Sequence, residues 1–181
     1  MIDFRYKLIG KVDVSSWKEK VKTFSNDDWE EFDFRQKTFS VHKDTRTIPI
    51  IFDEDFLPKN EYTKTKWYDL FSDEIKVLEK KFKNYYGFGN FSRIILVKQL
   101  SNTSIDPHID SGKTLNVGCR VHIPIDTNEN VIFIIDGEEK NMKEGEMWEI
   151  NNREKMHSVS NNSEFDRVHL IIDYIMSSVW N

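Results

Sequence analysis

Arg120-Val121-His122-Ile123-Pro124-Ile125 lies in the middle of a segment, 93–175, in which short apolar runs alternate with turn signals. Asp136-Gly137 and Asn161-Asn162 are two of these turns. Many short strands with closely spaced turns are typical of a β-sandwich or barrel. We therefore predict strands over Arg93–Leu100, Thr114–Ile125, Val131–Ile135, Lys143–Ile150, Lys155–Ser160 and Arg167–Ile175.

The N-terminal half is predicted to contribute further strands. Tyr6–Val14 has the pattern of a first strand, and Trp29–Phe56 is rich in strand-forming apolar and aromatic residues, interrupted by the polar turn His42–Arg46. Within it, Ile48-Pro49-Ile50-Ile51-Phe52 is expected at a sheet edge, because proline cannot donate to a β-ladder. Pro58–Lys66 is a polar connection.

Two helices are predicted in the same half. Ser16, followed three residues later by Glu19, matches a capping box. The buried face of this helix would consist of Trp17, Val21 and Phe24. The second helix is expected to begin near Ser72 and to end at Gly87, which supplies a C-terminal stop. Its apolar stripe would consist of Leu70, Phe71, Ile75, Leu78, Phe82 and Tyr85.

Composition restricts the classes of function. The formal net charge is -5 over 181 residues with both signs mixed, so no basic surface for nucleic acid is indicated. Met1–Val12 lacks the apolar core of a signal peptide, and no apolar run reaches the roughly 20 residues of a spanning helix. A single cysteine, Cys119, fits a reducing compartment. We expect a soluble, cytoplasmic protein without a membrane or nucleic-acid partner.

His108-Ile109-Asp110 is a candidate metal-binding motif. Side chains two residues apart in an extended segment point to the same side, so both can approach one ion. Such a short motif arises by chance in roughly a third of comparable sequences. The alternative is an ordinary turn after Pro107, in which Asp110 caps a backbone amide.

Thr114–Ile125 alternates between two faces. Asn116, Gly118, Arg120 and His122 share one face, which is either an exposed polar face or the wall of a site. The other face consists of Leu115, Val117, Cys119, Val121, Ile123 and Ile125. Cys119 is therefore expected to be a core thiol rather than a nucleophile.

Downstream, two polar residues are further candidates. His157 lies in a short strand and Arg167 opens the last one. Each has an ordinary explanation, a structural histidine and a solvated arginine. His169 is expected to be a packed group rather than a third imidazole ligand, and Trp148 to contribute packing rather than chemistry.

Taken in order, these stretches resemble the aspartyl/asparaginyl β-hydroxylase family of Fe(II)/2-oxoglutarate oxygenases. The resemblance is clearest between Arg93 and Ile175, and the ten-residue step from His157 to Arg167 is similar to the family's spacing from distal ligand to co-substrate arginine. The matching text is Ile105-Asp106-Pro107-His108-Ile109-Asp110, Arg120-Val121-His122-Ile123-Pro124-Ile125, Gly145-Glu146-Met147-Trp148-Glu149-Ile150, His157-Ser158-Val159-Ser160-Asn161 and Arg167-Val168-His169-Leu170-Ile171-Ile172-Asp173.

The resemblance implies a double-stranded β-helix, or cupin-like jelly roll, with flanking helices. A single domain, 1–181, would use 1–90 as supporting strands and helices and 91–176 as the core that carries the site. His108, Asp110 and His157 would bind Fe(II), the ion that suits two imidazoles and one carboxylate with open positions. Arg167 would bind the distal carboxylate of 2-oxoglutarate, and Arg120 and His122 would contact co-substrate or a substrate carboxylate.

The implied reaction consumes 2-oxoglutarate and O2 and yields succinate, CO2 and a hydroxylated substrate. The complete ligand triad resembles the branch that includes free-proline hydroxylases, so a small amino acid or related polar molecule is the expected substrate, with aromatic residues of the N-terminal half as pocket walls. Three alternatives remain: hydroxylation of a protein or peptide side chain, a non-catalytic metal-binding module, and a cupin-type enzyme without 2-oxoglutarate, against which Arg167 argues.

Overall fold

The computed structural model describes residues 4–59 and 61–180, and within them two antiparallel sheets face each other. Their order is β1-β8-β5-β10-β3-β2 in the six-stranded sheet and β4-β9-β6-β7 in the four-stranded sheet. This is the predicted mainly β, cupin-like jelly roll with flanking helices. The strands are β1 Tyr6–Lys11, β2 Thr45–Ile51, β3 Gly89–Gln99, β4 Thr103–His108, β5 Cys119–Asp126, β6 Val131–Ile135, β7 Glu138–Lys140, β8 Glu146–Ile150, β9 His157–Asn161 and β10 Arg167–Met176.

Helices cover the outer face of the six-stranded sheet. Trp17 of α1 and Ile75, Leu78 and Phe82 of α4 are buried against outward-facing residues such as Leu170. Because both faces of this sheet are covered, β10 is buried along almost its whole length. The helices are α1 Ser15–Val21, α2 Asn26–Glu30, α3 Phe34–Thr38, α4 Ser72–Tyr86 and α5 Lys113–Val117, with short 3-10 turns at Ser40–His42, Asp69–Phe71 and Ser177–Trp180.

The inner face of the same sheet carries the polar residues of the interior. Arg167 on β10 pairs in register with Gln99 on β3, and Asp173, six residues further along β10, pairs with Arg93 and with Arg120 on β5. Alternation along β10 puts its residues 167, 169, 171 and 173 on this inner side. The two ends of the row are therefore roughly 20 Å apart along the strand.

Several predicted elements are confirmed. α4 begins at Ser72, and Gly87 follows its last residue with φ +83°, although Leu70 and Tyr85 of the predicted stripe are exposed. β2 is an edge strand, as Pro49 requires. The Asp136-Gly137 turn joins β6 to β7 with both residues at positive φ. The 58–66 connection has one isolated bridge, Ile51 with Lys64, and its residue 60 lies outside the described ranges.

Other predictions were wrong. Trp29–Phe56 is a strand only over β2, because α2 and α3 occupy its first part and Ser25 and Asp28 form the capping box that starts α2. The capping box predicted at Ser16 is absent, since Val14 precedes α1 and Asp13 accepts the bonds of Ser15. Two strands, β4 and β7, were not predicted.

The predicted strand Thr114–Ile125 begins only at Cys119, since Lys113–Val117 forms α5. Leu115 is a buried residue of that helix, so the alternation of apolar and polar residues over 114–118 did not indicate a strand. No helix in the described ranges combines the length and apolar composition of a bilayer-spanning segment. The prediction about Met1–Val12 concerns in part residues 1–3, which lie outside the described ranges.

Candidate metal and co-substrate site

Three candidate metal ligands meet at the mouth of the interior. His108 ends β4 and pairs in register with His157, which begins β9, and Asp110 follows two residues later. The Nε2 atoms of His108 and His157 each lie 3.6 Å from a carboxylate oxygen of Asp110. One donor atom from each residue lies within 4.8 Å of the other two. Two imidazoles and a carboxylate on one side of an open pocket are a ligand set that suits Fe(II).

Hydrogen bonds orient these ligands. Nδ1 of His108 lies 2.8 Å from the carbonyl oxygen of Asp106, so the tautomer that donates there leaves the Nε2 lone pair free for a metal. The Asp110 amide donates to the carbonyl of Asn152 at 2.9 Å, and the Asn152 side-chain amide donates to Asp110 Oδ2 at 2.6 Å. Backbone and side chain of one residue therefore fix the carboxylate.

Arg120 links Asp110 to the sheet. Its Nε and Nη2 donate to the two oxygens of Asp173 at 2.7 and 2.8 Å, while Nη1 donates to Asp110. Burial disfavours the Asp110 carboxylate, but Arg120 and the neighbouring histidines hold the pKa of Asp110 well below its usual range. Burial lowers the pKa of His157 to about 4. At neutral pH the arrangement therefore presents a carboxylate and a neutral imidazole.

Behind the triad, the interior is polar and incompletely paired. Arg167 is 1% exposed and donates from Nη1 to Gln99 at 3.1 Å, while its buried Nε has no hydrogen-bond partner. No carboxylate among the described residues lies within 4 Å of its guanidinium. Burial lowers the pKa of Arg167 to about 9, so it is still a cation at neutral pH. The Nδ1 atom of His122 and both ring nitrogens of His169 are likewise buried without a hydrogen-bond partner among the described residues.

All five histidines of the chain lie along this interior. A file of rings runs from His42 to His108 (5.6 Å between centroids) and to His157 (4.2 Å). Phe133 continues it by stacking on His157 at 6.0 Å, and His122 and His169 follow at 5.2 and 5.8 Å. The mouth and the buried Arg167 end therefore belong to one continuous interior.

Outside the triad a cavity of about 310 Å³ opens toward solvent. Arg35, Arg93 and Arg120 supply its cationic side, and aromatic residues supply much of the rest. Sequence reasoning missed Arg35, Arg93, His42, Asn152 and Asp173. The alternation of β10 could have indicated Asp173, since it lies on the same face as Arg167 and His169. Nothing in the sequence around Arg35 signals a site.

The remaining sequence predictions concern packing. Cys119 is partly buried against the outer core, and burial raises the pKa of its thiol to about 12, which disfavours a nucleophilic thiolate. Trp148 packs edge-on against Tyr6 and donates from Nε1 to Glu146 at 2.9 Å. Neither side chain lines the cavity outside the triad.

Comparison with known proteins identifies the class. Residues 6–176 match the family model described as aspartyl/asparaginyl beta-hydroxylase. Among curated proteins, none matches the chain significantly by sequence.

Solved structures share the fold. One is an oxidoreductase of the 2OG-Fe(II) oxygenase family from Burkholderia pseudomallei, with a TM-score of 0.59 at 13% identity over 92% of this chain and 91% of that one. Another is ThoJ, a non-heme monooxygenase solved as a nickel complex, with a TM-score of 0.56 at 11% identity over 94% and 73%. A third is SnoN, a non-heme alpha ketoglutarate dependent epimerase from nogalamycin biosynthesis, at 0.50 and 10% identity over 74% and 62%.

Proposed function

The chain belongs to the aspartyl/asparaginyl β-hydroxylase family and is an enzyme of the 2-oxoglutarate- and Fe(II)-dependent oxygenase class, and we propose that it hydroxylates a C–H bond of a small, amino-acid-like substrate. One observation carries the proposal: the candidate ligands His108, Asp110 and His157 converge at the mouth of an interior that contains a buried arginine without a counter-charge. A divalent cation and a dicarboxylate supply the groups that both features lack.

In this proposal His108, Asp110 and His157 hold Fe(II). Their donor atoms fit the ion because the Nε2 atoms face the Asp110 carboxylate, while the Nδ1 of His108 is engaged by Asp106. When bound, Fe(II) and 2-oxoglutarate supply the oxidation, in which one O2 converts 2-oxoglutarate to succinate and CO2 and the substrate C–H to C–OH. The protein fixes the reactants and keeps water out.

Arg167 is proposed to hold the distal carboxylate of 2-oxoglutarate. A guanidinium offers a planar, two-point fork to a carboxylate, and this contact is stronger in a dry interior than at a surface. Gln99 accepts from one nitrogen and so orients the fork. His122 lies between Arg167 and the triad, where burial and the nearby Arg120 and Arg167 hold its pKa well below the usual range. It is therefore a neutral partner along the path of the co-substrate.

For Arg120, which the resemblance implied as a contact for co-substrate or a substrate carboxylate, we propose a different role. Its hydrogen bonds go to Asp173 and Asp110, so its charge is already balanced. We propose that it positions Asp110 and keeps that ligand ionised before metal binds. Neither ring nitrogen of His169 has a hydrogen-bond partner within the described part of the chain, and the ring is proposed to contact the co-substrate end near Arg167.

Succinate formation tests this function. Wild-type protein with Fe(II), ascorbate and 2-oxoglutarate is expected to form succinate even without substrate, and His108→Ala or Asp110→Ala should lose that activity by about a hundredfold or more. Asp106→Ala is the matched control, because it removes an exposed carboxylate and keeps the carbonyl that orients His108. Equal rates in wild type and in both triad variants would contradict the proposal.

The size of the cavity favours a small substrate over a protein segment. About 310 Å³ lies at the lower end of small-molecule pockets. Hydroxylation of a peptide or protein side chain remains the second candidate. A screen of amino acids and peptides for a one-oxygen mass increase separates the two, and hydroxylation of peptides alone would contradict the small-substrate proposal.

A further inference from the structure

Arg35 on α3 is a buried cation with neutral partners. Its side chain is 7% exposed and lines the cavity outside the triad. Its two contacts are Nη2 with His42 Nε2 at 3.0 Å and Nη1 with Thr47 Oγ1 at 3.4 Å. No carboxylate in the described ranges lies within 4 Å of it. Burying a cation without a counter-charge is strongly unfavourable unless an anion arrives.

The charges around the cavity leave an excess of one cation. Arg93 and Arg120 share Asp173, and Arg120 also pairs with Asp110. The two carboxylates balance two of the three guanidinium groups, and Arg35 remains. A guanidinium can only donate, so the His42 Nε2 that lies 3.0 Å from Arg35 Nη2 accepts the hydrogen bond, and the His42 ring adds no charge. The cavity therefore lacks one negative charge, and the lack is localised at Arg35.

Apolar walls surround this cationic position. Phe52 and Phe56 pack edge-on at 5.9 Å, and the guanidinium of Arg93 lies over both rings at 5.3 and 4.7 Å. Phe39 lies beside His42 and Phe56, and Leu115 of α5 completes the lining. A bound molecule would thus meet a cation at one side, aromatic rings along its body and the His108–Asp110 pair at the other side.

Building on the oxygenase function proposed above, we propose that the substrate carries an anionic group, a carboxylate or a phosphate, that binds Arg35, and a compact apolar body that packs on Phe39, Phe52 and Phe56. The apolar body of the substrate then lies between Arg35 and the triad. This position determines which substrate carbon lies beside the triad and is oxidised. Arg35 is a specificity-determining residue in this account, because a neutral analogue leaves its guanidinium buried and unpaired.

Binding of a matched acid and amide tests the proposal. The probes are 3-phenylpropionate, its uncharged amide and phenyl phosphate, titrated by calorimetry into Zn(II)-loaded protein with saturating 2-oxoglutarate, so that no turnover occurs and Arg167 is occupied. We expect wild type to bind the acid, or the phosphate, at least about tenfold more tightly than the amide, the range of a charge-assisted hydrogen bond. Arg35→Gln should abolish this preference. Arg46→Gln, which removes a nearby arginine outside the cavity, should keep it.

The relative affinities of the three probes identify the anionic group of the substrate or contradict the proposal. A preference for the acid identifies a carboxylate-bearing substrate class, and a preference for phenyl phosphate identifies a phosphate-bearing one. Equal binding of acid and amide, no binding of any probe at millimolar concentration, or an acid preference that survives in Arg35→Gln would overturn the proposal. If Arg35→Gln does not fold, Arg35→Lys replaces it and should weaken the preference for the acid over the amide. The comparison of acid and amide binding by the wild-type protein tests the proposal without any variant.

Succinate formation by wild type is measured in parallel. Its absence contradicts the oxygenase proposal, whereas equal acid and amide binding with succinate present contradicts only the proposed role of Arg35.

Discussion

A buried arginine without a carboxylate partner is costly for the fold, and Arg167 is such a residue. A buried charge whose ion-pair partner has been removed typically lowers the free energy of unfolding by several kcal/mol. Arg167 is in the same situation when no co-substrate is bound, so we expect it to destabilise the free protein. The cost is explained if the cation serves an anionic co-substrate. Function and stability should then change in opposite directions when the charge is removed.

Arg167→Met is therefore predicted to raise the free energy of unfolding of the co-substrate-free protein by roughly 1–4 kcal/mol. The same change should weaken 2-oxoglutarate binding by about a hundredfold, the range for removing one partner of a buried charge pair. Thermal denaturation with and without 2-oxoglutarate measures both effects. Arg5→Met, at an exposed ion pair with Asp136, is the control. Retained stabilisation by 2-oxoglutarate in Arg167→Met would contradict the assigned role.

Asp173 is connected to the proposed metal ligand Asp110 through Arg120. It is 1% exposed and receives two hydrogen bonds from Arg120, which in turn contacts Asp110. Replacing a group that supports a metal ligand typically costs 10–100-fold in metal affinity. We predict that Asp173→Asn weakens Zn(II) binding by about that factor, measured by competition with a chelating dye. Asp126→Asn, at the exposed end of β5, should bind as wild type does.

The three candidate metal ligands could be predicted from the sequence, whereas Arg35 could not. His108, Asp110 and His157 each had an ordinary explanation, and only their order along the chain favoured a metal site. The structure brings their donor atoms together because β4 and β9 are paired. Arg35 lies in a five-residue helix that the sequence did not predict. Its proximity to the triad depends on tertiary packing, which no local pattern encodes.

At the scale of elements, β8 places two glutamates in opposite electrostatic environments. Glu149 is buried and accepts a hydrogen bond from Tyr86 at 3.0 Å, and its burial raises its pKa. Glu146 is also partly buried, but the Lys143 amide, Trp148 and Lys11 lower its pKa. Folding therefore disfavours the charge of Glu149 and favours the charge of Glu146.

Glu149→Gln is predicted to raise the free energy of unfolding at neutral pH by about 1 kcal/mol, because it removes a disfavoured charge and keeps the acceptor for Tyr86. The gain should vanish as the pH falls below the usual glutamate range, where the wild-type carboxyl is protonated in both states. Glu146→Gln should destabilise at neutral pH by a similar amount, with the same disappearance in acid. Urea denaturation at several pH values measures both, and equal signs for the two variants would refute the assignment.

Elements with a strong periodic pattern were predicted well, and short elements were not. α4 shows an apolar stripe over four turns and is ended by Gly87, so its position follows from local sequence. α2, α3 and α5 have five residues each, too few for helical periodicity to be distinguished from strand alternation. Leu115 illustrates this, because its burial fits either pattern and tertiary contacts decide between them.

The two sheets of the molecule contribute different parts of the core and of the candidate site. The outer face of the six-stranded sheet packs on α1 and α4, while its inner face carries Arg167, His122 and Arg120 in successive positions toward the mouth. The four-stranded sheet supplies His108 and His157 opposite them. The resemblance predicted this architecture, and aromatic pocket walls from the N-terminal half were expected, but no feature of the sequence indicated Arg35 and Arg93 as the cationic lining of the cavity.

The anaerobic absorption spectrum of the protein with Fe(II) and 2-oxoglutarate tests whether His108, Asp110 and His157 bind iron beside the co-substrate, because a keto acid bound to ferrous iron gives a visible charge-transfer band. We predict that the band appears with wild type and with Asp106→Ala, and that it is lost in His157→Ala. Absence of the band in wild type, or its full retention in His157→Ala, would contradict the claim that these three side chains bind one iron beside the co-substrate.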